Sequence, residues 1–273
     1  MKSIERVFSE YNVELYAAIP YSALREINPR IRERAGFTPR TAIVYLLPYY
    51  AGECRNISRY AASRDYHIAI REIGDGVISA LRESYPESTS RSFGDHSPID
   101  EVSTALAAGL GVRGDNGLII NEKYGSYVFV GDVLTDISPE LLGAVEPREI
   151  SRCPGCGACR RACPTGILRG EGEDCLSAIT QRKGELSDAE KALMRKYNTA
   201  WGCDICQQVC PYNRNPVITP IEFFRKSRIE ELTAESLSTL DDAALSERAF
   251  GWRGRGVLTR NIAALAEGDR EKR

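Results

Sequence analysis

No stretch of the chain approaches the roughly 18 consecutive apolar residues that a helical membrane span needs, so none is expected. The opening MKSIERVFSEYNVELYAAIP lacks a continuous apolar run and a small-residue cleavage site, so a signal peptide is not expected and a cytoplasmic location is. There is no low-complexity tract, and no internal repeat beyond two cysteine motifs. Neither sign of charge is in excess: 36 basic against 38 acidic residues leave a net charge of -2 and a pI near 5.9. Any affinity for nucleic acid must therefore come from a local patch. Against these absences stand 273 residues, 42% hydrophobic and 27% charged, enough for one large domain or two modest ones. Nine are cysteines, eight of them between Cys153 and Cys210, with Cys54 apart. A chain of this size without a secretion signal does not need disulfides, so the clustering points to metal.

The first 150 residues read as a mixed α+β domain. Thr41–Leu47 is β-branched and apolar, as a buried strand would be. Asp65–Ser84 carries the helical stripe Ile70, Ile73, Val77 and Leu81. A second helix is expected from about Pro98 to near Gly109–Gly111, with Ser97 as N-cap and Asp100 and Glu101 at the positive end of its dipole. Gly117–Ile120 and Ser126–Val130 read as a β-hairpin, followed by Asp132–Ile137. Later helices are expected at Asp188–Tyr197, Ile229–Leu240, Ala243–Phe250 and Val257–Ala266, before a solvated tail, EGDREKR. The fold class is thus α+β. Residues 1–147 form the mixed domain, 148–220 a ferredoxin-like module, and 221–273 a helical segment packing on the first two.

Cys153-x2-Cys156-x2-Cys159-x3-Cys163-Pro164 matches the run of two-cluster bacterial ferredoxins, whose fourth thiolate ligates the other cluster. Cys203-x2-Cys206-x3-Cys210-Pro211 has the last three cysteines of the same motif, and Cys175 can stand for the first. Crossing the fourth ligands gives one [4Fe–4S] cluster on Cys153, Cys156, Cys159 and Cys210. The second falls on Cys163, Cys175, Cys203 and Cys206. A pair of zinc sites is the alternative, but it gives no reason for two Cys-Pro endings. Cys54 is read as a buried thiol. Two neighbouring clusters carry single electrons, and the long segment before them must then hold a redox partner or substrate. Gly109-x-Gly111-x-x-Gly114 spells a dinucleotide fingerprint but follows a helix instead of opening one, so a cap and tight turn is the better reading.

Several segments resemble the epoxyqueuosine reductases: ISRYAASRDYH (57–67), FGDHSPIDE (93–101), AAGLGVRGDN (107–116) and GSYVFVGDVLT (125–135). CPGCGACRRACPTGIL, EDCLSAIT and WGCDICQQVCPYN follow in the family's order, as does LSERAFGWRGRGVLTRNIAALA, so the likeness covers about residues 40–266. The resemblance implies a cobalamin-dependent oxidoreductase with two [4Fe–4S] clusters that reduces epoxyqueuosine to queuosine in tRNA, the final step of queuosine biosynthesis. The clusters would pass electrons singly to give cob(I)alamin in a corrinoid-binding N-terminal domain. The family's acid falls on Asp95, which needs a raised pKa, hence burial, to donate a proton. Tyr60, Arg64, Tyr66 and His67 are candidate contacts to cofactor or substrate, and Gly111, Gly114 and Asn116 could bring backbone close to the corrin. Neither His67 nor His96 is required as a cobalt ligand.

Members of the family usually continue into a C-terminal helical repeat domain that helps hold tRNA, and this chain is expected to be a short form without it. Asp115 stands where the family often has Lys. For the tRNA anticodon loop, the candidate basic patches are Arg248–Arg260, with Arg253, Arg255 and Arg260 near Trp252, and Arg148–Arg161. An external one-electron donor such as a flavodoxin or ferredoxin is implied, and no membrane. Two other readings stay open: an iron–sulfur electron-transfer protein, and a corrinoid reductase of the dehalogenase type acting on a small molecule.

Overall fold

The computed structural model describes residues 2–270, and its chain divides into two compact units. One comprises the chain up to Tyr49, His67–Gly155 and Thr219–Glu222. The other comprises Tyr50–Tyr66, Cys156–Ile218 and the chain from Phe223 onward.

The first unit is built on an antiparallel sheet in the order β1-β2-β6-β3, from Leu15–Pro20, Thr41–Pro48, Val128–Thr135 and Ser90–Phe93. All eight residues of β2 are buried, because this central strand is covered on both faces. Its even-numbered side chains Ala42, Val44 and Leu46 meet Ile99, Ala105 and Leu106 at the start of, and along, the helix α4 (Glu101–Ala107). On the opposite face, Phe8 of α1 (Lys2–Glu10) stacks on Tyr16 at 4.3 Å. There Tyr45 Oη also donates to the Ile70 carbonyl at 3.1 Å. Ile70 belongs to α3 (Tyr66–Ser84), whose expected stripe Ile70, Ile73, Val77 and Leu81 is buried. A short α2 spans Pro29–Ala35.

Two local expectations are corrected. The cap of α4 is Asp100, which accepts from Ser103 N–H at 2.9 Å. Residues 97–99 remain outside the helix, tied by the Pro98 carbonyl to Ile27 and Asn28. Nor does 117–120 pair with 126–130. Ile119–Ile120 (β5) pairs with Val112–Arg113 (β4) as a separate two-stranded ribbon, while β6 joins the main sheet. Hydrophobic pattern alone could not tell a hairpin partner from a sheet partner across so short a turn.

The second unit consists of short helices: α5 (Ala158–Ala162), α6 (Leu176–Gln181), α7 (Asp188–Lys196), α8 (Ile205–Gln208), α9 (Glu222–Arg225), α10 (Ala234–Ser238) and α11 (Asp242–Ser246). The longer α12 (Arg255–Arg270) ends it. The helices expected at 229–240 and 243–250 thus shrink to five residues each, starting at Thr233 and Asp241 caps. Of the expected solvated tail, residues 271–273 lie outside the described residues. Wholly buried Trp201 packs against Phe250, and Asn261 bridges the carbonyls of Thr180 and Ala200 at 2.7 and 2.8 Å.

Candidate functional site

The cysteine-bearing segment shows the environment that thiolate ligands need. Cys203 is largely buried and its thiol is pushed up to about 12, first by desolvation; Cys175 and Cys206 add to the shift, so the three lie within electrostatic reach. A thiol buried in this way resists ionising unless a cation compensates it, which iron does when it binds sulfur. Around Cys163 desolvation again raises the pKa. Backbone N–H groups of Leu168, Thr165 and Gly166, with the Thr165 hydroxyl, outweigh it and hold this thiol below its usual range. Such N–H donors to sulfur are the contacts by which a protein tunes an iron–sulfur centre. Cys54 is mostly buried, with its thiol raised by burial, and it takes a long contact from Arg228 at 3.8 Å.

Arg59 and Asp204 are a pair that sequence reading missed. Both side chains are buried, with Arg59 Nη1 3.1 Å from Asp204 Oδ2. Asp204 also accepts from the Arg59 N–H at 2.8 Å and from the Ser58 hydroxyl. Asp204 lies between two cysteines of the motif, so a charge pair removed from water stands beside the expected ligands. Only the acidic residue inside Cys203-Asp-Ile-Cys206 could have signalled it.

In the first unit, Asp95 follows β3 with φ at +62°. Its side chain is half-exposed, and His67 Nε2 stands 3.4 Å from its Oδ2. The burial expected of a proton donor is found on its neighbours instead. The Glu101 carboxyl is pushed up to about 7, mainly by burial and then by Asp95, while N–H groups of Asp95 and Ser97 and the charge of His67 oppose the shift. Asp132, at the middle of β6 opposite Val44 and Phe93, is fully buried and its pKa lies well above the carboxylate range. Desolvation is the main cause, then Glu101, with the Ser97 hydroxyl opposing. Sequence reading saw Glu101 only as a helix-dipole residue and Asp132 only as the start of the segment after the expected hairpin.

Beside this group a cavity of about 400 Å³ is lined by His67, Ile70, Arg71, Arg91, Phe93 and His96, among others. Apolar walls from α3 and β3 and donors from two arginines and two histidines give it the mixed chemistry of a ligand site.

The remaining expected contacts are placed as follows. Tyr60 Oη accepts from Trp201 Nε1 at 2.9 Å, and Arg64 pairs with Glu247 at 3.1 Å while lying over Phe223. Tyr66 packs against the apolar cluster around Trp201. Gly111 and Gly114 are explained by their own chain. A Cβ on Gly111 would stand 2.5 Å from the Ile120 carbonyl oxygen, and one on Gly114 would stand 2.4 Å from Asn116 Oδ1. The close backbone approach is to the β4–β5 ribbon. In the basic stretch, Arg248 is buried against the Ser227 carbonyl, Arg255 donates to the Leu237 and Leu240 carbonyls, and Arg260 donates to the Arg182 carbonyl. These three are structural ties. Trp252 remains 60% exposed, with Arg253 stacked on it at 3.7 Å.

A small antiparallel sheet with helices and a helical unit carrying cysteines at two-cluster ferredoxin spacing make this a mixed α/β protein of the iron–sulfur class. A family profile described as "4Fe-4S double cluster binding domain" matches residues 152–213, which include all eight clustered cysteines. The epoxyqueuosine reductase of Cyclobacterium marinum is 34% identical over 77% of this chain and 69% of its own length. That of Listeria monocytogenes is 29% identical over 96% of this chain and 72% of its own. Among solved structures, the Streptococcus thermophilus epoxyqueuosine reductase superposes with a TM-score of 0.76 at 22% identity, covering 97% of this chain and 80% of that one. One of an epoxyqueuosine reductase with an epoxyqueuosine-modified tRNA-Tyr stem loop gives 0.72 at 22% identity, covering 96% and 80%. The chain belongs to the epoxyqueuosine reductase family. Family membership selects the oxidoreductase reading over a bare electron carrier.

Proposed function

We propose that this chain reduces epoxyqueuosine to queuosine within a tRNA anticodon loop, the last step of queuosine synthesis. The observation that carries the reading is its 34% identity to a reductase of that name, over a span that includes a double-cluster segment. The reaction removes an epoxide oxygen as water, so two electrons and two protons are consumed for each double bond formed. Cys153, Cys156, Cys159 and Cys210 would hold one [4Fe–4S] cluster, and Cys163, Cys175, Cys203 and Cys206 the other. The influence of Cys175 and Cys206 on the Cys203 thiol supports the second set. In functional terms residues 1–147 would be the corrinoid-binding division, 148–220 a ferredoxin-like module and 221–273 a helical segment.

The cavity beside Asp95 fits part of a cobalamin by its chemistry: Ile70 and Phe93 offer an apolar wall, and Arg71, Arg91, His67 and His96 offer donors for peripheral amides. When bound, cobalamin supplies a strongly reducing metal centre, the hard chemistry the side chains cannot perform. The chain's own residues place substrate and move protons. Asp95, half-exposed beside His67, is the donor to the departing oxygen, and contact with bound ligand would provide the desolvation its carboxyl needs. An external one-electron donor of the flavodoxin or ferredoxin class would refill the clusters. A cytoplasmic site of action accords with a tRNA substrate, and no described helix is long and apolar enough to cross a membrane.

The test is anaerobic: reconstituted protein, cobalamin, a chemical reductant and tRNA from cells lacking the gene, followed by nucleoside analysis. Conversion of epoxyqueuosine to queuosine is expected. Unchanged tRNA with a full complement of iron and bound cobalamin would sink the assignment.

A further inference from the structure

Asp95 adopts a left-handed conformation, which Asp tolerates better than most residues with a Cβ but which still favours a loop held by its neighbours. The holding contact comes from the first residue of α4. Glu101 Oε2 accepts the Asp95 N–H at 3.2 Å, and the Ser97 N–H bonds the same carboxylate. Glu101 Oε1 is buried without a hydrogen-bond partner, and the Asp132 carboxyl on β6 is wholly buried beside it. Two neighbouring carboxyl groups kept from water in this way are costly. The helix does not need Glu101 for this purpose, because Asp100 already caps it. What the buried carboxylate does accomplish is to gather the backbone of the loop that carries the candidate acid.

We propose that Glu101 is the positioning residue of this site: its ionised carboxylate latches the Gly94–Ser97 loop through backbone N–H groups and fixes where the Asp95 carboxyl stands. The inference rests on reading Asp95 as the proton donor. The groups facing Glu101 are Asp95 and Ser97 of the loop, His67 from α3 and Asp132 from β6, with Tyr45 of β2 in electrostatic reach. Protonating Glu101 removes the charge that strengthens its hydrogen bonds, so the latch loosens as pH falls through about 7.

Amide hydrogen exchange on the cofactor-free chain reads the latch directly. In the unaltered protein, protection of the peptide spanning residues 93–99 should fall at least fivefold beyond the intrinsic rate change as pH drops from 8 to 6. Glu101→Gln should lose that pH dependence and exchange at least tenfold faster at pH 8. In the loaded enzyme, Glu101→Gln should lower kcat at least tenfold, with KM for the tRNA within twofold and the pH–rate profile moved. Asp95→Asn is measured in parallel. PH-independent protection in the unaltered chain overturns the latch even if the variant fails to fold. So does a folded Glu101→Gln with unaltered exchange and pH profile. A fully active Asp95→Asn refutes instead the acid role on which the inference rests, while the exchange result still reports the latch.

Discussion

In the sheet unit, β2 buries all eight of its residues between helical layers, whereas α5–α11 of the second unit run only four to nine residues each. Helices that short do not stand alone in water, because nucleation costs more than so few hydrogen bonds return. The second unit holds a sizeable apolar cluster around Trp201 and a small one around Met194, together with seven of the eight clustered cysteines. The sheet unit is organised by area removed from water throughout, whereas the second unit joins an apolar cluster around Trp201 to a cysteine-rich segment of short helices that metal–thiolate bonds would hold. The sheet unit is therefore vulnerable to lost methylenes, and the cysteine-rich segment to lost iron.

Removing the iron should have the largest effect. Chelation under oxidising conditions should strip exchange protection from the segment 156–213 while leaving β2 and β6 protected. Structural metal sites contribute on the order of 10 kcal/mol to small metal-dependent domains. Equal loss of protection in both units would show that they fold as one body and that the contrast is false. Cys206→Ser is the milder form. It should halve the bound iron and abolish turnover, checked by iron analysis and by nucleoside assay.

Next in size is the buried ion pair. Asp204→Asn removes the buried one of the two carboxylates that pair with Arg59, Glu53 being the other, without opening a cavity, so the loss should lie at or below the lower end of the ~3–5 kcal/mol that breaking a buried pair costs. Urea unfolding should report that loss. Leu46→Ala, in a wholly buried position of β2, should cost a comparable ~2–5 kcal/mol. Its effect should be confined to the sheet unit, with cluster absorbance unchanged. If Leu46→Ala bleached the clusters as readily as Asp204→Asn, the two stabilising devices would not be separable.

The difference between the units also explains what sequence could disclose. Thiolate ligands must be supplied at fixed spacings, so Cys153 to Cys210 announce themselves in one dimension. The stripe of α3 and the apolar run of β2 do so because burial repeats with the period of the element. The Asp95–Glu101–Asp132 group is different. Asp132 sits in VFVGDVLT with nothing local to mark it, and its significance comes from pairing with Val44 and facing α4. Likewise the β4–β5 ribbon depended on which neighbour Ile119–Ile120 would choose, a choice made by tertiary contacts. Arginine counts misled in the same way, since Arg248, Arg255 and Arg260 bond to carbonyls that lie 15 to 78 positions away in sequence.

The Glu101 carboxyl sharpens the contrast through the sign of its effect. Its folded pKa of about 7 lies above the ordinary 4.5. Between those values the native state retains a proton that the unfolded chain has released, so stability falls as pH rises through that window. Glu101→Gln removes this penalty and should raise stability at pH 8 by up to about 3 kcal/mol, while changing little at pH 4. Denaturant titrations at the two pH values check it. The functional group would then be a stability liability in the burial-organised unit, where activity and robustness pull in opposite directions. Equal stabilisation at both pH values would mean that charge burial is not the cause.

The smallest expected change in stability is at Trp252, which is 60% exposed and carries Arg253 stacked on its ring at 3.7 Å. An exposed residue outside any core should alter folding by less than about 0.5 kcal/mol when replaced by Ala. If the pair serves as a stacking platform for an unpaired base, Trp252→Ala should weaken tRNA binding by roughly 1–3 kcal/mol, the range for one base on one aromatic ring. A filter-binding or fluorescence titration against an anticodon stem loop measures this, and the unfolding midpoint supplies the control. Loss of affinity without loss of stability would assign the exposed ring to recognition. Unchanged affinity would leave its cation–π contact with Arg253 as a feature of the surface alone, because the other arginines of that stretch are already committed to carbonyl oxygens.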